Sequence, residues 1–132
     1  MKARKKGRVL IESSIVQEDI RTISEDIKSL SFNLEGKTIL IAGGAGFLGK
    51  YIILTLDYLN KHILKDPCRI IVIDNFISSV RECIQKDDNI VIIEQDISKS
   101  FQLKYNIDFI MHTASLASPL FYNKFRLRIV FW

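Results

Sequence analysis

The fold is indicated most clearly by residues 37–49, which read KTILIAGGAGFLG. The first six form a short, almost continuous apolar run, typical of a strand buried on both faces of a parallel sheet. Glycines follow at Gly43, Gly46 and Gly49, and they lead into residues 50–61, where apolar side chains recur at helical spacing. The stretch therefore predicts a strand, a glycine-rich turn and a helix in direct succession.

Three further apolar, β-branched runs predict strands at residues 69–74, 89–94 and 107–112, and a short helix is expected at residues 79–85. Strands that alternate with helices are typical of βαβ units. The chain is therefore predicted to be an α/β protein with a Rossmann-type doubly wound parallel sheet, helices on both faces, and truncation after about four strands.

An amphipathic helix is predicted ahead of this sheet, over residues 14–30. Its start is marked by Ser14 and Gln17, which fit a capping box. Its apolar stripe recurs at spacings of three and four, and consists of Val16, Ile20, Ile23, Ile27 and Leu30. The stripe either packs against the body of the domain or makes a homodimer, and the sequence leaves both open.

Composition limits the functional classes. The net charge is +4, and residues 1–8 alone contribute five positive charges. We interpret these residues as a solvated basic tail, so no nucleic-acid partner is expected. No apolar run approaches the roughly 20 residues that cross a bilayer, and no membrane association is expected. Cys68 and Cys83 lack metal-ligand spacing, so we expect no metal site, reduced thiols and a cytoplasmic location.

The glycine turn predicts a phosphate site. Gly43 permits backbone angles that a side chain would forbid, Gly46 lets a pyrophosphate approach the backbone, and Gly49 lets the helix pack close to the strand. The free N–H groups and the dipole at the helix start then attract the phosphates of a dinucleotide.

An acidic residue, Asp74, ends the second predicted strand. A carboxylate here can accept hydrogen bonds from the adenosine ribose hydroxyls and repels the additional phosphate of NADP. No arginine directly follows Asp74, and Arg81 lies several residues further on. The residue therefore favours NAD as cofactor.

These motifs resemble a known family, the extended short-chain dehydrogenases/reductases, which are NAD-dependent epimerases and dehydratases. Residues 42–49, AGGAGFLG, resemble the family's TGGAGF(L/I)G signature, with Ala42 in place of threonine. Residues 74–76 (DNF), 95–97 (QDI) and 112–119 (HTASLASP) resemble the family segments after its second, third and fourth strands. The resemblance runs from about residue 34 to residue 119.

The resemblance implies a set of cofactor-binding residues. Those at the pyrophosphate would be Gly43, Gly46, Phe47, Leu48 and Gly49, and those at the adenosine ribose would be Asp74 and Asn75. Those beside the adenine would be Asp96 and Ile97, and those beneath the nicotinamide half would be Thr113, Ala114 and Ser115, mostly through backbone groups.

The resemblance also implies an activity, in which NAD is a transient hydride acceptor during epimerisation, dehydration or decarboxylation of a nucleotide sugar. The Ala-Ser-Pro at residues 117–119 looks most like the decarboxylase and dehydratase branches that act on UDP- or dTDP-sugars. The family's catalytic Tyr-x-x-x-Lys is absent, so no catalytic residue is assigned. The alternatives are a non-catalytic dinucleotide-binding module and an inactive fragment.

The predicted organisation has three parts. Residues 1–33 form a basic tail and amphipathic helix, residues 34–119 an incomplete NAD(P)-binding Rossmann domain, and residues 120–132 an atypical tail. The tail is basic and apolar without a helix cap, so truncation or a shifted reading frame is expected to account for it. The 132 residues alone are expected to have no enzymatic turnover.

Overall fold

The structure is a computed structural model that describes residues 13–79, 81 and 84–115. Its centre is a four-stranded parallel sheet with the order β3-β2-β1-β4. The strands are β1 (Thr38–Ala42), β2 (Arg69–Asp74), β3 (Ile90–Glu94) and β4 (Phe109–His112). All four lie within the predicted runs, and the prediction of a parallel α/β sheet is confirmed.

The two central strands are buried because their residues are apolar on both faces. The side chains of Ile41, Ile70, Ile71, Val72 and Ile73 are all 0% exposed. Such strands cannot face water on either side, which is why they occupy the middle of the sheet.

One face of the sheet is covered by helix α3 (Phe47–His62), which follows the glycine turn. Ile53, Leu56 and Leu59 of α3 pack against Ile39 and Val72 of the strands in the main apolar core. The helix was predicted from residue 50 and begins three residues earlier, at Phe47. The last glycine of the turn, Gly49, therefore already lies within the helix.

The predicted N-terminal helix is present but divided. Helix α1 (Ser14–Asp26) is followed by a short helix α2 (Lys28–Ser31) and by a 3-10 turn at Phe32–Leu34. Helix α1 packs against α3. The predicted capping box is wrong, because the residue before the helix is Ser13 and its side chain makes no capping hydrogen bond within the described residues.

The predicted stripe is also partly wrong. Val16 and Ile20 are buried, but Ile23 and Leu30 are 39% and 68% exposed. The inward positions further along are taken by two small polar residues, Ser24 and Ser31, which are buried. The buried face of the N-terminal helices therefore includes these two serines, and the larger side chains of Ile23 and Leu30 lie outside it.

Helices were expected on both faces of the sheet, and among the described residues the second face is covered by turns and extended chain. Leu40, Ile71 and Ile73 are covered there by side chains of the segment between β3 and β4. Residues 95–108 contain turns and extended chain but no helix. The covering side chains are Ile97, Leu103, Tyr105 and Ile107.

Several sequence-based predictions lie outside the described residues. They are the basic tail at 1–8, residues 80, 82 and 83 of the short helix at 79–85, residues 116–119 of the 112–119 motif, and the tail at 120–132. No helix in the described part of the chain is long and apolar enough to cross a membrane.

Candidate dinucleotide site

The candidate site lies where the carboxyl ends of three parallel strands meet. Strand β1 lies between β2 and β4, so Ala42 is paired in register with Ile73 on one side and His112 on the other. The glycine turn that follows Ala42 therefore lies between the segments that follow β2 and β4. Ligand sites of open parallel sheets form at this edge.

Gly43 makes the sharp turn out of β1. Its φ is +76°, a region that side chains disfavour, and its N–H donates to the Ile73 carbonyl oxygen at 2.7 Å. A Cβ atom here would lie 2.4 Å from the Ala114 Cα. A glycine at this position therefore lets the chain after β4 pass directly against the turn.

Two further glycines allow close packing around the turn. A Cβ at Gly49 would lie 2.5 Å from the Gly43 carbonyl oxygen, and one at Gly44 would lie 2.4 Å from Val72 Cγ1. Gly44 was not among the residues singled out from the sequence. The doubled glycine at 43–44 was the available signal, but its reason is a contact with β2 that requires the tertiary structure.

Gly46 is less tightly enclosed than these glycines. Among the described residues, an added Cβ would have one close neighbour, the Gly43 carbonyl oxygen at 3.2 Å, which would have to shift slightly. Gly46 immediately precedes α3 and offers no side chain to cap it. The first helical hydrogen bond runs from the Lys50 N–H to the Gly46 carbonyl oxygen, at 3.0 Å. The preceding N–H groups, including those of Phe47 and Leu48, therefore have no acceptor within the helix.

The start of α3 also has the polarity that an anion requires. The dipole of this 16-residue helix places partial positive charge at its N-terminus. The side chains of Phe47 and Leu48 are 69% and 65% exposed, so they do not bury the turn. The Phe47 ring lies 5.3 Å from that of Tyr51, centroid to centroid.

The Asp74 carboxylate connects the end of β2 to the glycine turn. Its Oδ2 accepts a hydrogen bond from the buried Ala45 N–H at 3.0 Å. Its Oδ1 accepts from the Phe76 N–H at 2.8 Å and from the Ser79 hydroxyl at 3.2 Å. A carboxylate offers about four lone-pair directions, so three donors fix its orientation and leave capacity for a ligand.

The loop after Asp74 has an unusual backbone. Phe76 has a φ of +54°, the one positive value at a non-glycine residue in the described part of the chain. Its ring is partly buried against the main core, which offsets the local strain. Asn75 Oδ1 accepts a hydrogen bond from the Ile77 N–H at 3.1 Å, so this side chain also stabilises the loop.

The segment after β4 is attached to the turn by Thr113. Its hydroxyl donates to the carbonyl oxygens of Ala42 and Gly43, at 2.9 and 3.1 Å. The residues that follow, Ala114 and Ser115, are half-buried and exposed. The sequence anticipated a backbone role here and missed the hydroxyl, whose acceptors lie about 70 residues away along the chain.

The segment after β3 lies beside that after β2. The Gln95 N–H donates to the Asp74 carbonyl oxygen at 3.0 Å. Asp96 Oδ1 accepts from the Ser98 N–H at 2.9 Å and from its hydroxyl at 2.6 Å. Ile97 packs on the sheet face opposite α3. Within the described residues, no group of three or more His, Cys, Asp or Glu side chains could hold a metal ion.

Known proteins share both the sequence pattern and this fold, although no family model matches the chain. UDP-glucuronic acid decarboxylase 3 of Arabidopsis thaliana is 27% identical over 100 residues, covering 74% of this chain and 27% of that protein. UDP-glucuronic acid decarboxylase 1 of Danio rerio is 27% identical over 129 residues, covering 86% and 28%. The chain thus spans little more than a quarter of the length of these relatives.

Two solved structures have a similar fold. The epimerase Mth375 from Methanothermobacter thermautotrophicus superposes with a TM-score of 0.59 at 23% identity, covering 79% of this chain and 30% of that one. The Bordetella bronchiseptica enzyme WbmF in complex with NAD+ gives 0.53 at 22% identity, covering 74% and 28%. The predicted resemblance is confirmed: the chain is similar to extended short-chain dehydrogenases/reductases, the NAD-dependent epimerases and dehydratases, over part of their length.

Proposed function

We propose that this chain binds NAD at the glycine turn and is the cofactor-binding portion of a nucleotide-sugar epimerase, dehydratase or decarboxylase. The observation that carries the proposal is the uncapped start of α3, where Gly46 has no side chain beside N–H groups that have no acceptor within the helix. A pyrophosphate would satisfy these donors and complement the helix dipole.

The neighbouring residues suit the rest of an adenine dinucleotide. Asp74 retains acceptor capacity for ribose hydroxyls after its three internal hydrogen bonds. Asn75 would support the ribose, and Asp96 with Ile97 would flank the adenine, because the chain after β3 is hydrogen-bonded to the end of β2. Thr113, Ala114 and Ser115 follow β4 on the other side of the turn, where the nicotinamide half would extend.

NAD, when bound, supplies a hydride acceptor for oxidation of a sugar hydroxyl. The residues of this chain would orient it: the N–H groups of Phe47 and Leu48 hold the phosphates, and Asp74 selects the ribose. The sequence contains no tyrosine followed four residues later by lysine. Because the 132 residues thus lack the proton-transferring pair of the family, we propose that the chain positions the cofactor and has no turnover alone.

The proposed sugar partner is a UDP- or dTDP-linked sugar, in line with the relatives named for their action on UDP-glucuronic acid. A cytoplasmic location is proposed because the two cysteines have no disulfide pattern. A homodimer through the N-terminal helices is supported by the exposure of Ile15 and Ile23 of α1 and of Leu30 of α2.

A second candidate, a non-catalytic NAD-binding module that pairs with another polypeptide, is favoured by β4. This strand lies at one side of the described sheet, and its Phe109, Ile110 and Met111 are 44%, 66% and 40% exposed. An apolar strand with an unpaired edge is a surface on which another strand can add.

Calorimetric titration of the purified chain with NAD, followed by incubation with NAD and UDP-glucuronic acid, tests the proposal. We expect saturable NAD binding and no sugar product by mass spectrometry. Gly46→Val should abolish the binding. Absence of NAD binding by the folded chain would contradict the cofactor role, and turnover would contradict the assignment of the chemistry to residues outside it.

A further inference from the structure

Two carboxylates lie side by side at the ends of neighbouring strands. Asp74, the last residue of β2, is paired in register with Glu94, the last residue of β3. Register partners in a sheet point to the same face. That face is the one covered by α3, since Val72 and Ile92, two residues earlier on each strand, both pack in the core beneath it.

The segment between these strands brings a cation to the second carboxylate. Arg81 Nη1 lies 3.8 Å from Glu94 Oε2, while the Ser79 hydroxyl donates to Asp74 Oδ1 at 3.2 Å. Ser79 and Arg81 are two residues apart, so the same short segment contacts both carboxylates. The Arg81 guanidinium is therefore held near the end of β2 that carries Asp74.

A guanidinium in this place matters for the choice between NAD and NADP. The two cofactors differ by a phosphate on the adenosine ribose, and arginine binds phosphate with paired, charge-assisted hydrogen bonds. If Asp74 accepts the ribose hydroxyls, that phosphate would lie close to Arg81. Glu94 competes for the same guanidinium and adds a second negative charge beside Asp74.

We infer that Glu94 is a specificity-determining residue that disfavours 2'-phosphorylated dinucleotides by holding the Arg81 guanidinium. The inference rests on the proposed NAD site. The Arg81 and Glu94 side chains are 52% and 63% exposed, so salt screens their attraction and the effect is modest. Its signature is a change in the ratio of NAD to NADP affinity, which a merely structural role would leave unchanged.

The test is calorimetric titration of the full chain with NAD and with NADP at low ionic strength. We expect Glu94→Gln to tighten NADP binding about fivefold, the upper range for an exposed ion pair, and to change NAD binding less than about twofold. Arg81→Gln should leave the preference for NAD over NADP in place. The double variant, Arg81→Gln with Glu94→Gln, should not show the tighter NADP binding of Glu94→Gln alone. High salt should reduce the increase in NADP affinity that Glu94→Gln produces.

Glu25→Gln is the matched control, because Glu25 is a similarly exposed carboxylate, 3.7 Å from the Lys28 ammonium on the N-terminal helices. It should alter neither affinity. Unchanged NADP affinity in Glu94→Gln, with NAD binding intact, would overturn the inference and leave the proposed function standing. If Glu94→Gln still tightens NADP binding in a chain that also carries Arg81→Gln, the role of the guanidinium is overturned. A folded chain that binds neither NAD nor NADP would overturn both proposals.

Discussion

The Asp74 carboxylate accepts a hydrogen bond from the Ala45 N–H at 3.0 Å, and this bond joins the end of β2 to the glycine turn after β1. Ala45 is fully buried, so its N–H has no access to solvent. The residue proposed to select the ribose therefore also holds the turn proposed to bind the phosphates. Substitution of Asp74 is expected to affect both.

We predict that the unaltered chain prefers NAD to NADP, and that Asp74→Ala weakens NAD binding about tenfold while narrowing the preference. The substitution removes the charge that repels a 2'-phosphate and leaves the Ala45 N–H without an acceptor. The free energy of unfolding should fall by about 1 to 3 kcal/mol for the same reason. Calorimetry and urea unfolding measure the two effects.

Asp74→Asn is the informative companion, because it keeps one acceptor oxygen for Ala45 and removes the charge. Its free energy of unfolding should be higher than that of Asp74→Ala. Its preference for NAD over NADP should be reduced as much as in Asp74→Ala. If the unaltered chain binds NADP as tightly as NAD, Asp74 does not select the ribose.

We predict that Gly46→Val abolishes dinucleotide binding and changes the free energy of unfolding by only about 1 kcal/mol. A Cβ at Gly46 would lie 3.2 Å from the Gly43 carbonyl oxygen, so a small backbone shift suffices to place a branched side chain where the pyrophosphate would lie. Gly44→Val is the contrasting variant. Its Cβ would lie 2.4 Å from Val72 Cγ1, so it should destabilise the fold by roughly 3 kcal/mol. Folded Gly46→Val with undiminished NAD affinity would show that the phosphates lie elsewhere.

Two buried serines on the N-terminal helices should respond oppositely to alanine. Ser24 is fully buried, and its hydroxyl has no hydrogen-bond partner among the described residues. Ser31 is equally enclosed, but its hydroxyl donates to the Lys28 carbonyl oxygen at 2.8 Å. We predict that Ser24→Ala stabilises the chain by up to about 1 kcal/mol and that Ser31→Ala destabilises it by about 1 kcal/mol. Equal shifts in the urea midpoint would contradict this.

Stability at alkaline pH should depend on Cys68. Burial raises the pKa of this thiol to about 11, although hydrogen bonds from the backbone and Asn60 act in the opposite direction. Because the pKa is higher in the folded state, the contribution to stability is present below pH 9 and is lost as pH rises toward 11. We predict that the free energy of unfolding falls less steeply between these values in Cys68→Ala. Identical slopes would contradict this.

The sequence predicted the sheet well because its strands carry strong local signals. Strand β2 was predicted with its observed bounds, and the helix after the glycine turn was anticipated from apolar spacing. The inward face of the N-terminal helices was misjudged at Ile23 of α1 and Leu30 of α2, because helical periodicity ranks large apolar side chains above serine. The burial of Ser24 depends on how the helix is placed in the fold, which no local pattern reveals.

The sequence singled out residues that the structure brings close together, but not the contacts between them. The glycine spacing and the acidic end of β2 predicted site residues that lie at one edge of the sheet. The bonds from Ala45 to Asp74 and from Thr113 to Ala42 join residues 29 and 71 positions apart. The Arg81 and Glu94 pair likewise depends on how the segment between β2 and β3 lies over the sheet. Such contacts require the register of the strands.

The most direct test of the central claim is the amide spectrum of the isotope-labelled chain, recorded by NMR during titration with NAD. The account predicts that the largest shifts fall on Phe47, Leu48 and the glycine turn, with smaller shifts after β2 and β4. A different pattern would contradict it: unchanged turn amides at saturating NAD, or shifts confined to the shallow crevice lined by Lys50, Asp57 and Ile84.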